Sequence, residues 1–291
     1  MKHNAKPHWL LAALLATSLP LQAAVTAEEA AKLKSTLTPV GAEKAGNKAG
    51  TIPAWDGGLN KAPAGYRNGD ARPDPFAADK PVLSISAKNM AEHADKLTDG
   101  VQALMKKHPD FRIDVYPTRR SAAAPQFVYD NTFQNATRAK TVEAGHGVEG
   151  AYGGIPFPIP KDGYEAIWNH RLAWRGGNYT MPVRVWVVTA DGRRNMASGG
   201  VQTISQTYYD KTGSLDKFDG FYQFGKFVAN APGSKAGEAI LAHDGVNASA
   251  PRGLWQYLVG QRRVRKAPSV AYDTPDSVTS GIGLFDEAFN L

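Results

Sequence analysis

Apolar positions change their spacing along this chain, and each change marks an element. Thr26 followed three residues later by Glu29 is a capping box ahead of AAKLKSTL, predicting a short helix that ends near Leu37. From Thr38 to Pro81 the periodicity disappears among repeated Gly and Pro. Trp55, Tyr66 and Phe76, spaced widely there, predict an ordered arm laid over another surface by aromatic anchors. Ser86 is then expected to cap a long helix running to about Lys107, with Met90, Ala94, Leu97, Val101, Leu104 and Met105 on one stripe. His108-Pro109 stops it. RIDVYPT and QFVYDNT alternate apolar and polar residues, which predicts a pair of strands across an Ala-rich connection.

In IPFPIP the prolines at 156, 158 and 160 alternate with Ile155, Phe157 and Ile159, so this piece is an extended strap that cannot lie inside a sheet. Asp162 as N-cap, with Glu165 three residues on, starts a short helix carrying Tyr164, Ile167, Trp168 and Leu172 and ending at Gly176-Gly177. Beyond it the period becomes two. MPVRVWVVT, an Asp191-Gly192 turn, VQTISQTYY, and segments at 226–231, 238–243, 254–258 and 262–267 predict an antiparallel meander. Strands following a helical section define an α+β fold. Val183, Val185 and Val187 share one face of the first strand and Arg184, Trp186 and Val188 the other. With apolar bulk on both faces, that strand is expected to be covered on both, by helices or by a helix and a ligand.

Composition adds compartment and excludes some chemistry. Residues 1–24 have the anatomy of a secretory signal: Lys2 and Lys6, the apolar run WLLAALLATSL, Pro20, and small residues at Ala23 and Ala24. Cleavage is expected after Ala23 or Ala24, placing the processed chain in the periplasm. The run is too short for a bilayer span of roughly 20 residues, and no later segment qualifies. Cysteine is absent, which removes disulfides, thiolate metal sites and cysteine nucleophiles. The formal net charge is +7, of which Lys2 and Lys6 supply two, so any pull on anionic partners is modest.

Catalytic motifs are missing. The histidines show neither H-x-x-x-H nor H-E-x-x-H spacing, and no metal or other cofactor is expected. Gly145, Gly147 and Gly150 spell G-x-G-x-x-G, but a polar segment precedes them and the proline strap follows, so there is no strand-to-helix turn to cradle a pyrophosphate. A Ser-His-Asp triad is defined by geometry and stays open. RRVRK at 262–266 would suit a nucleic acid, yet an exported protein seldom meets one. Arg263 and Arg265 are read instead as a charged edge or as contacts to acidic headgroups or an acidic partner. Arg119 and Arg120 are read as a solvated turn or a similar anion contact.

GGIPFPIPKDGYEAIWNH resembles a family of proteobacterial secreted proteins known only as a domain of unknown function. The likeness continues in TPVGAEKAGN, GTIPAWDGG, DPFAADKP, VYPTRRSAAAPQFVYDNT and PRGLWQYLVGQRRVRKAP, nearly the whole processed chain. The family is similar to the lipoprotein carrier LolA and receptor LolB. That resemblance implies a curved antiparallel sheet forming a half-open barrel over residues 81–291, with helices on its concave face, preceded by a helix and arm over 25–80. It also implies a non-catalytic carrier of a hydrophobic or lipid-like molecule, with an RND-type exporter and an outer-membrane protein as partners. Trp168, Trp174, Trp186, Ile204, Phe224, Trp255 and Tyr257 are the candidate lining, because pockets are mostly apolar and aromatic, although ordinary core would account for them equally. A hydrolase-type enzyme on a hydrophobic exported substrate and a structural subunit of an envelope complex are the alternatives. The family domain goes on past SGIGLFDEAFNL, so the resemblance also predicts an incomplete sheet, with Leu284, Phe285 and Phe289 poorly buried.

Overall fold

The structure, a computed structural model, describes residues 24–247, 252–267 and 273–284. The expected export signal up to Ala23, and Phe285 and Phe289, lie outside these residues. Helix α1 (Ala27–Ala31) opens with the predicted box: Thr26 Oγ1 accepts from Glu29 N–H at 3.1 Å, and the Glu29 carboxylate accepts from Thr26 N–H at 3.0 Å. A 3-10 turn, Lys32–Lys34, continues it and buries Leu33. From residue 38 to 81 no helix or strand forms. This segment instead runs beside residues 119–122, where the Trp55 indole donates to Ala122 O at 3.0 Å and Leu59 N–H to Ser121 O at 2.9 Å.

The long helix expected after Ser86 is broken. Strand β1 (Leu83–Ser86) pairs antiparallel with β2 (Arg112–Val115), so Ser86 ends a strand. Asn89 holds the break: its side chain accepts from Ser86 N–H at 2.8 Å and donates to Ser84 O at 3.0 Å, a local bond that competes with helix formation. A 3-10 stretch, Met90–Lys96, stops at extended Leu97, and Thr98 caps a second helix, α2 (Asp99–Lys107). His108 terminates it, as expected before Pro109.

QFVYDNT is not a strand. It is the start of α3 (Gln126–Arg138), entered from Pro125, which buries Val128, Thr132, Asn135 and Ala136 along one face. A short alternating run cannot separate helix from strand by itself, and the helical face becomes visible only when Asn135 and Ala136 are included. A hairpin of β3 (Lys140–Val142) and β4 (Gly147–Glu149) follows, with Glu143, Ala144 and Gly145 all at positive φ in its turn. Helix α4 (Gly163–Arg171) starts at Asp162, whose carboxylate accepts from Glu165 N–H at 2.9 Å. It ends at Leu172, short of the glycine pair, and buries Trp168 while Tyr164 and Ile167 stay half exposed.

The remainder is one six-stranded antiparallel sheet in the order β10-β9-β8-β7-β6-β5. Its strands are β5 (Asn178–Val188), β6 (Arg194–Ser205), β7 (Phe221–Ala231), β8 (Ala239–Gly245), β9 (Gly253–Leu258) and β10 (Arg263–Lys266). β5 and β10 are both edges, so the sheet does not close into a barrel. Nor do the helices lie in a concave face. The main core joins α3, the strap and α4 to Tyr208, Tyr209, Tyr222 and Val246, all at one end of the sheet. Trp186 and Val188, expected under cover, are 50% and 63% exposed on the outer side of β5.

Candidate functional site

The proline strap is held from both sides by side-chain amides and hydroxyls, which replace the sheet partners it cannot have. On the α3 side, Thr132 Oγ1 accepts from Ile155 N–H at 2.9 Å, and fully buried Asn135 reaches Tyr152 and Gly154. Asn135 Nδ2 donates to Tyr152 O at 3.3 Å and Gly154 O at 3.1 Å, while its Oδ1 accepts from Tyr152 N–H at 3.2 Å and Arg138 Nη2 at 2.9 Å. On the α4 side, Asn169 accepts from Phe157 N–H at 2.9 Å and donates to Phe157 O at 2.6 Å, as a neighbouring strand would. The Tyr208 hydroxyl closes the arrangement on Gly154 O at 2.7 Å, and burial drives that phenol well above its ordinary pKa.

This rigid base forms one wall of an apolar cleft of about 590 Å³. Val128 and Tyr129 of α3, Ile155 of the strap and Trp174 line the base, and Ala122, Ala123 and Ala124 form a side. The arm is its roof, through Pro39, Val40 and Trp55. A second cavity of about 350 Å³ shares Pro39, Trp55 and Tyr129 with it, and Lys34 and Lys44 stand at its walls. Tyr129 fixes the side of the cleft by accepting from Ala124 N–H at 2.7 Å.

Polar contacts fasten the roof. Arg120 donates to Glu43 O at 2.6 Å and to the carbonyls of Lys44, Ala45 and Pro53 at 3.1 to 3.3 Å. Arg119 grips Asp79 with two nitrogens, at 3.0 and 2.6 Å, and lies over the Phe76 ring. The guanidinium beside Asp79 holds that carboxyl below its ordinary value, and the carboxylate raises Arg119 in turn. Both arginines, read from the sequence as a solvated turn or an anion contact, are therefore engaged in holding the arm.

The seven residues nominated as lining do not share one cavity. Trp174 lines the cleft, packed edge-on against Phe127 and Tyr209. Trp168 is core at 2% exposure, its indole donating to Gly145 O at 2.9 Å. Ile204 is buried on one face of the sheet. Phe224, Trp255, Tyr257 and Trp186 belong to the opposite face, as the strand register shows. Phe224 lies across from His243 on β8, Lys266 across from Trp255, and Val264 across from Tyr257. Their rings form a ladder: Phe224 and His243 centroids are 4.5 Å apart, His243 and Trp255 4.7 Å, and Lys266 Nζ stands 5.7 Å over Trp255. A Cβ at Gly253 would fall 2.7 Å from the tip of the Trp255 ring, so a larger residue there would displace that ring from the ladder. Arg263 and Arg265 are exposed on the β10 edge. Among the described residues no cluster of three or more His, Asp or Glu could hold a metal.

Strap, caps and strand order together define a mixed α/β domain with an open antiparallel sheet, and the chain belongs to the family described as Protein of unknown function (DUF1329), matched over residues 84–290. Among its relatives is the uncharacterized protein PA3922 of Pseudomonas aeruginosa, 41% identical over 285 residues. The match covers 95% of this chain and 61% of that protein, so the chain spans about three fifths of the relative's length. No solved structure matches.

Proposed function

We propose that the protein is a periplasmic, non-catalytic carrier that shelters a hydrophobic or lipid-like molecule beneath its arm, in concert with an RND-type exporter and the outer membrane. The cleft carries this reading. Its volume of about 590 Å³ falls within the range of small-molecule sites, and aliphatic and aromatic side chains dominate its lining. Its roof is tied down by the Arg119–Asp79 ion pair and the carbonyl contacts of Arg120, polar contacts that lie outside the main core. The resemblance to LolA and LolB read from the sequence implies the same class of cargo, which we place under the arm and not within the sheet. Export through the N-terminal signal would leave a chain beginning at Ala24 or Val25, where Val25 packs under α1 and donates to Ala136 O at 3.1 Å.

The neutral probe N-phenyl-1-naphthylamine tests the cleft, with native mass spectrometry reading any lipid that co-purifies. The expected result is probe fluorescence in the parent protein and at least about tenfold weaker uptake in Ala123→Phe, which fills the cleft. The thermal midpoint should not move. Absence of uptake by the parent, or equal uptake by the filled variant, would remove the carrier reading.

A further inference from the structure

Among the described residues, one face of the six-stranded sheet is left open, and its composition is one-sided. Register places Arg184, Trp186 and Val188 of β5 on the same face as Val201 of β6, Lys226 and Val228 of β7, and Leu241 of β8. The face continues through Trp255 of β9 to Val264 and Lys266 of β10. Its apolar side chains face solvent: Trp186 is 50% exposed, Val188 63%, Val201 39%, Leu241 37% and Val264 62%. Arg184, Arg194, Lys226 and Lys266 are exposed among them, and the described strand residues of this face include no Asp or Glu. The other face is partly covered. There Ser198 donates to Val278 O at 2.8 Å beneath the 3-10 turn Ser277–Thr279, and Asp244 pairs with Arg252.

A contiguous exposed apolar surface marks an interaction site, and charge decides which kind. In a two-fold dimer through this face, the same patch would meet itself. Arginines and lysines would face arginines and lysines with no acid on either side to offset them. An anionic lipid surface removes the conflict, since it presents negative headgroups to the cations and an acyl boundary to the valines and leucine. Trp186 is also a residue type favoured at headgroup depth. From this complementarity we infer that the open sheet face docks the protein on an anionic membrane surface. The cations draw the face to the headgroups, and the apolar rows seat against the boundary below them. The inference does not depend on what the cleft holds.

Co-sedimentation of the purified full chain with vesicles provides the test, comparing phosphatidylcholine alone with phosphatidylcholine mixed with phosphatidylglycerol. Binding is expected only to the mixed vesicles, falling as salt rises. Each cation near such a surface strengthens binding about fivefold, so Lys226→Gln with Lys266→Gln should weaken it by more than about tenfold. The charge-reversed pair Lys226→Glu with Lys266→Glu should abolish it. Arg263→Gln with Arg265→Gln removes the same charge from the opposite side of the β10 edge and should leave binding within about twofold. Trp186→Ser should weaken binding several-fold with the salt dependence kept. Equal binding to neutral and mixed vesicles, no binding at all, or equal losses from the two glutamine pairs would overturn the inference. So would a dimer in sedimentation that the Lys226 and Lys266 variants dissolve.

Discussion

At the scale of single residues, Asn135 does the most for the strap. Its amide satisfies both backbone polar groups of Tyr152 and shares Gly154 O with the Tyr208 hydroxyl. Asn135→Leu keeps the volume and strands Tyr152 N–H and C=O without partners. A buried group left unpaired costs about 1–3 kcal/mol, so the variant should lose roughly 2–4 kcal/mol in urea unfolding. A loss under about 1 kcal/mol would mean that the strap has other support. Glu165, buried in α4, is shifted in the opposite direction to Asp79: burial is the largest effect and raises its pKa above the usual 4.5. The folded chain then holds the proton more tightly than the unfolded one. Stability from this group is fullest below pH 4.5 and declines as pH rises through the raised value. Glu165→Gln preserves an acceptor for Lys161 N–H, which now donates to the carboxylate at 2.6 Å. It should raise the melting temperature at pH 7 and leave it unchanged at pH 4; a variant less stable at both would show that the charge is needed. Thr26 and Asp162 were legible as caps because their partners are three residues away. Asn135 and Asn169 were not, because their partners lie 12 to 19 residues off and no local pattern records them.

At the scale of elements, the arm and the helices failed or succeeded as readings for the same reason. A stripe from Met90 to Met105 gives the right period, but the Asn89 bonds and the Thr98 cap decide where a helix can begin, and both override the stripe. The six strands were legible because their side chains alternate between the two faces, and the Asp191-Gly192 turn marks the first hairpin. The arm's aromatic anchors could be read, whereas its fastening by Arg119 and Arg120 could not, since the acceptors are 40 to 77 residues earlier. That fastening is testable by segment. The Asp79 pair contributes above the ordinary 3.8 of its carboxyl and is lost as pH falls through the lower folded value. Asp79→Asn should therefore lower hydrogen-exchange protection around residues 74–80 at neutral pH. Arg120→Ala should instead deprotect 43–53, where four carbonyls lose their donor. If either substitution loosens the whole arm equally, the two arginines hold one cooperative unit and not two.

At the scale of the whole molecule, the cleft and the open sheet face are built from different stretches of chain. Every residue lining the cleft precedes Asn178, where the sheet begins, and the aromatic core at the sheet end stands between the two. Changes at sites that share no partner usually add within about 0.5 kcal/mol. Ala123→Phe should consequently weaken probe uptake at least about tenfold and leave vesicle binding as it was, while Lys226→Gln with Lys266→Gln should weaken vesicle binding and leave uptake unchanged. The combined variant should show both losses at the size of the separate ones. Coupling is the informative alternative. If vesicle binding by the parent releases the bound probe, and the charge-poor variant retains it in the same vesicles, docking on the sheet face opens the arm. The linkage would run through Tyr208, Tyr209 and Trp174, whose rings are in contact from the sheet end to the cleft floor at 5.0 Å spacings. Independent losses with no vesicle-driven release would instead make the sheet face a tether and the cleft an autonomous site.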